Sequence, residues 1–254
     1  MDGPMQTQTT SDQHSSSPYQ DLRGRTAVVT GGSSGIGAAT ATLLRELGAR
    51  VAVIDISPAD RGDLWVDADV TDPHAIGDAF TRIADSLGPA SVLVNNAGIA
   101  PPGRFEDLTP EDWDRTLAVN LSSVYLCTRS ALPQLRSLGG GTVINVSSIA
   151  GRHRSLTASA AYAAAKGGVI ALTRQLAPEL AGDRIRVNCV CPGLVDTRIM
   201  QQNVDEQRRA DLVGTVPLGR MAAPVEIASC IAFLASEVSS YLTGSIVDAN
   251  GGIV

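Results

Sequence analysis

From Arg25 onward, short apolar runs alternate with longer segments of helical spacing. Thr26–Thr30 reads as a strand and is followed by a glycine-rich turn. Ala38–Leu47 places its apolar residues at helical intervals and stops at Gly48. Arg50–Asp55 is a second strand-like run and Leu64–Ala68 a weaker third. Pro73–Leu87 predicts a helix, with Asp72 as its N-cap and Gly88 as its stop. Ser91–Asn95, Gly141–Val146, Ile185–Val190 and Ser245–Asp248 predict the remaining strands. Between them, Pro110–Leu138, Ser159–Leu180 and Pro224–Ser236 predict helices, the first entered through Thr109 and Pro110.

Strands that alternate with helices imply an α/β fold with a parallel sheet covered on both faces, and the near-continuous apolar runs agree with that burial. Right-handed crossovers then give a doubly wound sheet of about seven strands that binds ligands at the carboxyl ends of its strands. Only about eight residues separate Asp55 from the third strand, too few for a covering helix, so a loop or single turn is expected there. Residues 21–254 carry no composition break and form one expected domain. Residues 1–20, rich in Ser, Thr, Gln and Asp, predict a disordered tail without the basic start and apolar segment of a secretory signal.

Composition narrows the functions. The 254 residues carry a formal net charge of -6 and scattered basic side chains, which argues against nucleic acid. No apolar run approaches the roughly 20 residues of a membrane span, so a cytoplasmic location without membrane contact is expected. Cys127, Cys189, Cys191 and Cys230 lack a metal-site spacing and read as reduced thiols; no metal is expected.

The turn after the first strand reads Thr30-Gly31-Gly32-Ser33-Ser34-Gly35-Ile36-Gly37. Glycines between a strand and a helix let the backbone approach a pyrophosphate at the helix N-terminus. Asp55 follows Gly35 by 20 residues, at the end of the second strand. A carboxylate there can bind adenosine ribose hydroxyls and repels a 2′-phosphate, which favours NAD over NADP. Neither Ser34 nor Ile56 supplies a cation to such a phosphate; Arg61 is the residue that could, and Asp55 could instead cap the next turn.

Of the 20 Lys+Arg residues only Lys166 is a lysine, four residues after Tyr162. On a helix the two share a face. A compact ammonium there can lower the phenol's pKa from about 10 and make it an acid/base catalyst, whereas the plainer alternative is a packing tyrosine and a solvated lysine.

Taken in order, Thr30-Gly31-x-x-x-Gly35-Ile36-Gly37, Asn95-Asn96-Ala97-Gly98, Asn120, Ser148, Tyr162-x-x-x-Lys166 and Pro192-Gly193 resemble the short-chain dehydrogenase/reductase family, over roughly residues 21–254. The resemblance implies a Rossmann-type domain and an NAD-dependent oxidoreductase acting on a secondary alcohol or ketone. It implies that Gly31, Ser33, Ser34, Gly35, Ile36, Gly37 and Asp55 bind the cofactor. Asp69-Val70 would flank the adenine, Asn95-Asn96-Ala97-Gly98 would line the cofactor, and Val195 and Thr197 would dock the carboxamide. Tyr162 would be the acid/base and Lys166 would hold the nicotinamide ribose. Ser148 would bind the substrate oxygen, and Asn120 would hold a water linking Lys166 to solvent. Ser147 and Ser148 are adjacent; Ser148, directly before Ile149-Ala150, matches the family register. The spacing from Ser148 to Tyr162, 14 residues, is one more than the family's commonest.

The substrate cleft implied by the family is bounded by Ile99–Phe105, Ile149–Ala160 and Leu194–Val216, the last as a lid. Arg152, His153 and Arg154 either meet an anionic substrate group or lie on a solvated or subunit surface. A homotetramer is expected by analogy, with the long helices paired between subunits. The other readings are an epimerase or dehydratase on this scaffold, or a non-catalytic NAD-binding sensor.

Overall fold

The computed structural model describes residues 19–253, so the tail expected over residues 1–20 lies almost wholly outside the described residues. The strands are β1 (Thr26–Thr30), β2 (Arg50–Ile54), β3 (Leu64–Val66), β4 (Ala90–Asn95), β5 (Gly141–Val146), β6 (Ile185–Pro192) and β7 (Ile246–Ala249). They form one sheet in the order β3-β2-β1-β4-β5-β6-β7, and every pair is parallel. The order reverses between β1 and β4, which creates the crevice where open α/β sheets bind ligands.

Successive strand residues face opposite sides and build two cores. On one side Val28, Ile54, Leu93 and Val143 pack with Ile76 and Phe80 of α2 (Pro73–Leu87), Leu135 of α4 (Ser123–Ser137) and Leu180 of α6 (Ala160–Ala181). On the other, Val29, Val53, Val94 and Ile144 pack with Leu44 of α1 (Gly35–Glu46) and with Ile227 and Ile231 of α9 (Pro224–Ala235). Asp72 caps α2 as its spacing predicts, accepting hydrogen bonds from the backbone N–H of His74 and Ala75 at 2.8 and 3.2 Å. No helix covers the β2–β3 crossover, as its length requires. The indole N–H of Trp65 instead donates to the Asp55 carbonyl at 3.0 Å and steadies the end of β2.

One expectation needs revision. The segment expected as one helix over Pro110–Leu138 is α3 (Pro110–Leu117), a π-helical turn over Ala118–Ser122, and α4. Asn120 sits in that turn, fully buried, and its side-chain amide donates to the Thr116 carbonyl one turn back at 2.9 Å. A side-chain donor thus competes for a carbonyl of the regular helical ladder. Single π turns inside helices recur at functional sites.

Three short helices escape the apolar pattern: α5 (Ile149–Arg152), α7 (Arg198–Asn203) and α8 (Glu206–Val213). The last two lie in the segment expected as a lid. Leu212 and Val216 there pack with Leu194 and against Leu156 of the loop before α6. Among the described residues no helix is long and apolar enough to cross a membrane.

Candidate active site

A cavity of about 710 Å³ runs along the carboxyl ends of the central strands. One end is walled by Gly31, Ser33, Ser34, Gly35, Ile36, Asp55, Asp69 and Val70. The middle holds Asn96, Ala97 and Gly98, and the wall is completed by Asn120, Ser148, Tyr162, Lys166, Val195 and Thr197. Apart from Gly37, Asn95, which is buried on Thr128 and Asn145, and the Arg152–Arg154 group, the sequence-predicted site residues border one space.

Gly37 lies behind that wall. A Cβ there would stand 2.1 Å from the Gly31 carbonyl oxygen and 2.4 Å from Asn96 Nδ2. Its lack of a side chain lets α1 start directly against the turn, so it shapes the wall from behind. Gly31 has a φ of 66°, in the left-handed region, and a Cβ on it would meet Ala97 Cα at 2.7 Å. Asn96 staples the turn to β4, donating from Nδ2 to the carbonyls of Thr30 and Gly31 at 3.0 and 2.9 Å. The Thr30 hydroxyl accepts from the N–H groups of Asn96 and Ala97 at 3.0 and 3.1 Å. Asp55 joins from β2: one carboxylate oxygen accepts from Ser33 N–H at 3.0 Å and the other from Ser57 N–H at 2.9 Å. Asp69 accepts from the backbone N–H and the hydroxyl of Thr71, both at 2.8 Å.

At the other end α5 and α6 meet. Ser148 is the N-cap of α5, and its Oγ accepts from Ala150 N–H at 3.1 Å. It also hydrogen-bonds Tyr162, which pulls the phenol's pKa down; burial is the larger effect and holds the phenol above its usual range. Lys166 lies one turn along α6, 4% exposed, with Nζ 5.8 Å from the Tyr162 ring centre and donating to the Val146 carbonyl at 2.8 Å. Burial lowers Lys166 to about 8. The expected lowering of Tyr162 by the ammonium does not appear in the chain: burial of the phenol raises it, and the opposing influence is the Ser148 hydrogen bond.

Asn120 approaches from the π turn. Its Nδ2 donates to the Ile99 carbonyl at 2.9 Å, and its buried Oδ1 has no partner. A Cβ added to Gly98 would stand 2.7 Å from that oxygen and 3.5 Å from Lys166 Nζ, so the glycine leaves both polar atoms uncrowded on the same side. An unpaired buried acceptor beside a buried ammonium is a place for a bridging water.

Arg152, His153 and Arg154 do not border the cavity, and Arg152 pairs with Asp248 of β7 at 2.7 Å. The pair ties α5 to the edge strand. Of the three segments expected around the substrate, the cavity is bordered by Ile99 and Ala100, by Ile149, Ala150 and residues 155–158, and by Leu194, Val195, Thr197, Arg198 and Met200. Phe105 is 77% exposed and outside it. Sequence reasoning missed Arg115, Ala118 and Val119, which border the cavity from α3 and the π turn. No motif marked them, because regular helical spacing does not place this segment.

The residues fit a dinucleotide. The glycine turn leaves backbone space that side chains would fill, a carboxylate stands at the end of β2, and buried donors collect at the far end. Fold and cavity together define a Rossmann-type nucleotide-binding protein. A family model described as enoyl-(acyl carrier protein) reductase matches residues 31–254. The chain is 42% identical to cis-4-hydroxycyclohexanecarboxylate dehydrogenase of Sinomonas cyclohexanicum, over 90% of this chain and 96% of that protein. It is 38% identical to 3-oxoacyl-(acyl-carrier-protein) reductase of Thermotoga maritima, over 92% of this chain and 99% of that protein. A crystal structure of a short-chain type dehydrogenase/reductase from Mycobacterium marinum superposes with a TM-score of 0.88 at 32% identity, covering 93% of this chain and 98% of that one. The chain belongs to the short-chain dehydrogenase/reductase family of oxidoreductases.

Proposed function

We propose that this protein is an NAD-dependent dehydrogenase that interconverts a secondary alcohol and its ketone, with Tyr162 as the acid/base. The observation that carries the proposal is the meeting of Tyr162, Ser148, Lys166 and Asn120 at one end of a cavity whose other end is the glycine turn and Asp55. When bound, the nicotinamide supplies or accepts the hydride and, oxidised, brings positive charge to the site. The chain does the rest. Tyr162 exchanges a proton with the substrate oxygen, and the Ser148 hydroxyl donates to the same oxygen as negative charge develops on it. Lys166 holds the ribose hydroxyls, and its ammonium offsets the desolvation that otherwise keeps the phenol protonated. A water between Asn120 Oδ1 and Lys166 Nζ would pass the proton outward.

NAD is the preferred cofactor because Asp55 occupies the cavity wall, whereas Arg61 is outside it and paired with Asp60 at 3.1 Å. The relative that acts on a hydroxycyclohexanecarboxylate supports a secondary, cyclic alcohol as the substrate class. Exposed Tyr125 on α4, Val225 on α9 and Tyr241 near β7 support the expected homotetramer, which light scattering would measure.

The test is turnover with NAD⁺ and NADP⁺ across a panel of secondary alcohols and cyclic hydroxy acids, together with calorimetric binding of each nucleotide. Reduction of NAD⁺ with weak or absent use of NADP⁺ is the expected result. Preference for NADP⁺ would overturn the reading of Asp55, and neither turnover nor binding would sink the dehydrogenase. The site also predicts an asymmetry between cations. Lys166→Arg retains the charge but not its compact shape, and kcat is expected to fall by about tenfold or more in steady-state assays. An arginine variant with full activity would show that charge alone is needed.

A further inference from the structure

Ser147 stands beside the assigned serine and points elsewhere. It is 3% exposed, and its Oγ donates to the main-chain carbonyl of Lys166 at 2.8 Å. Its own N–H donates to the Val190 carbonyl of β6 at 2.8 Å. One residue earlier, the Val146 carbonyl accepts from Lys166 Nζ, also at 2.8 Å. Two short segments are therefore bonded reciprocally. The side chain of residue 166 holds the end of β5, and the side chain of the residue just after β5 holds the backbone of residue 166. Gly151 closes a third side: a Cβ there would lie 2.5 Å from the Lys166 carbonyl carbon and 2.6 Å from its oxygen. The backbone of α5 thus rests on α6 at the residue that carries the ammonium.

The Lys166 carbonyl lies inside α6, where a backbone N–H four residues on can satisfy it. The Ser147 bond is additional to the ladder, so its effect is on position. We infer that Ser147 is a positioning residue: its hydroxyl fixes the turn of α6 that carries Lys166, so that the ammonium is aimed into the cofactor cavity before the nucleotide arrives. This rests on the proposed role of Lys166 at the nicotinamide ribose.

The titratable groups around the ammonium are Tyr162 on its own helix and the buried thiols of Cys189 and Cys191 on β6. The two thiols answer first to the hydrogen bond between them, which pushes Cys189 up and Cys191 down, and Ser147 also hydrogen-bonds Cys191 and lowers it; burial is the largest influence on Tyr162 and Lys166. If the staple loosens, Nζ gains water and its pKa returns toward the ordinary lysine range.

The chain has a single lysine, so isotope labelling at lysine Cε gives one side-chain resonance whose titration is readable without turnover. Ser147→Thr keeps the hydroxyl, Ser147→Val has the same shape without it, and Ser147→Ala removes it without added bulk. The Thr variant is expected to titrate near the wild type, while Val and Ala move up. In steady-state assays kcat for Val and Ala is expected to be about tenfold below that for Thr, with nearly unchanged KM for the alcohol, because small misplacements of positioned groups are costly. Equal behaviour of Thr and Val in both readouts would overturn the inference and leave Ser147 a packing residue. So would a wild-type kcat for Ala, or a lowered melting temperature in Val with kcat and lysine titration unmoved. Lys166→Met, assayed alongside, separates the two readings. If it is fully active, the proposed role of Lys166 fails, whatever Ser147 does. If it is inactive and Thr and Val still match, Ser147 alone is misread.

Discussion

Tyr162→Phe is expected to lower kcat by about 10³-fold, within the range that a positioned acid/base contributes. The substitution removes one oxygen and keeps the ring, so packing between α6 and the cavity is preserved. Calorimetry should find NADH binding within about fivefold of the parent, since losing one hydrogen bond to a ligand costs on the order of 1 kcal/mol or less when water can replace it. The pairing of lost turnover with retained binding distinguishes a proton-transfer group from a packing tyrosine. A Phe variant that turns over at the parental rate would assign Tyr162 to structure and remove the mechanism. If the Ser148 hydroxyl donates to the substrate oxygen as proposed, the residual rate in the Phe variant reports what Ser148 and the bound cofactor achieve together.

Gly37→Ala is expected to abolish measurable nucleotide binding and to lower the melting temperature by several degrees, although Gly37 does not border the cavity. The added methyl would meet the Gly31 carbonyl oxygen and the Asn96 amide, and neither can yield freely. The Gly31 N–H is bonded to the Ile54 carbonyl at 2.9 Å, and its carbonyl oxygen receives the Asn96 amide at 2.9 Å. Relief requires the turn to leave β4 or α1 to shift outward, and forcing volume into such a contact costs about 1–3 kcal/mol or more. Calorimetric titration with NADH and thermal unfolding would measure both effects. Parental affinity in the Ala variant would mean that the turn is softer than this packing implies.

The sheet was legible because its central strands are buried on both faces and leave unbroken apolar runs such as Val51–Ile54 and Val92–Val94. Asp72 announced α2 because a capping side chain acts within three residues of itself. The site motifs were legible where their spacing is local, as in the glycine turn and Tyr162–Lys166. What remained hidden depends on distant partners. Arg152 meets Asp248 across 96 residues of chain, and Ser147 meets Lys166 across 19. Nothing local separates Ser147 from Ser148; both reach α6, Ser147 bonding the Lys166 main-chain carbonyl and Ser148 the Tyr162 side chain in the cavity. The extra residue of the π turn leaves no compositional mark, since Ala-Val-Asn-Leu-Ser is compatible with a regular helix.

That turn also bears on the shape of the whole face. An α-helix advances about 100° per residue, so one surplus residue rotates everything upstream by that angle relative to everything downstream. The upstream half packs against α6, and the downstream half packs against β4 and α2. A regular helix of this sequence would keep one orientation along its length and could not serve both surfaces at once. The π turn is therefore a rotary joint between two packing registers, with Asn120 at its axis. Deleting one residue from 118–122 would straighten the helix, and it would also turn α3 off its neighbour and carry the Asn120 amide away from the lysine. For this segment, perfect helical regularity and the approach of Asn120 to Lys166 are mutually exclusive.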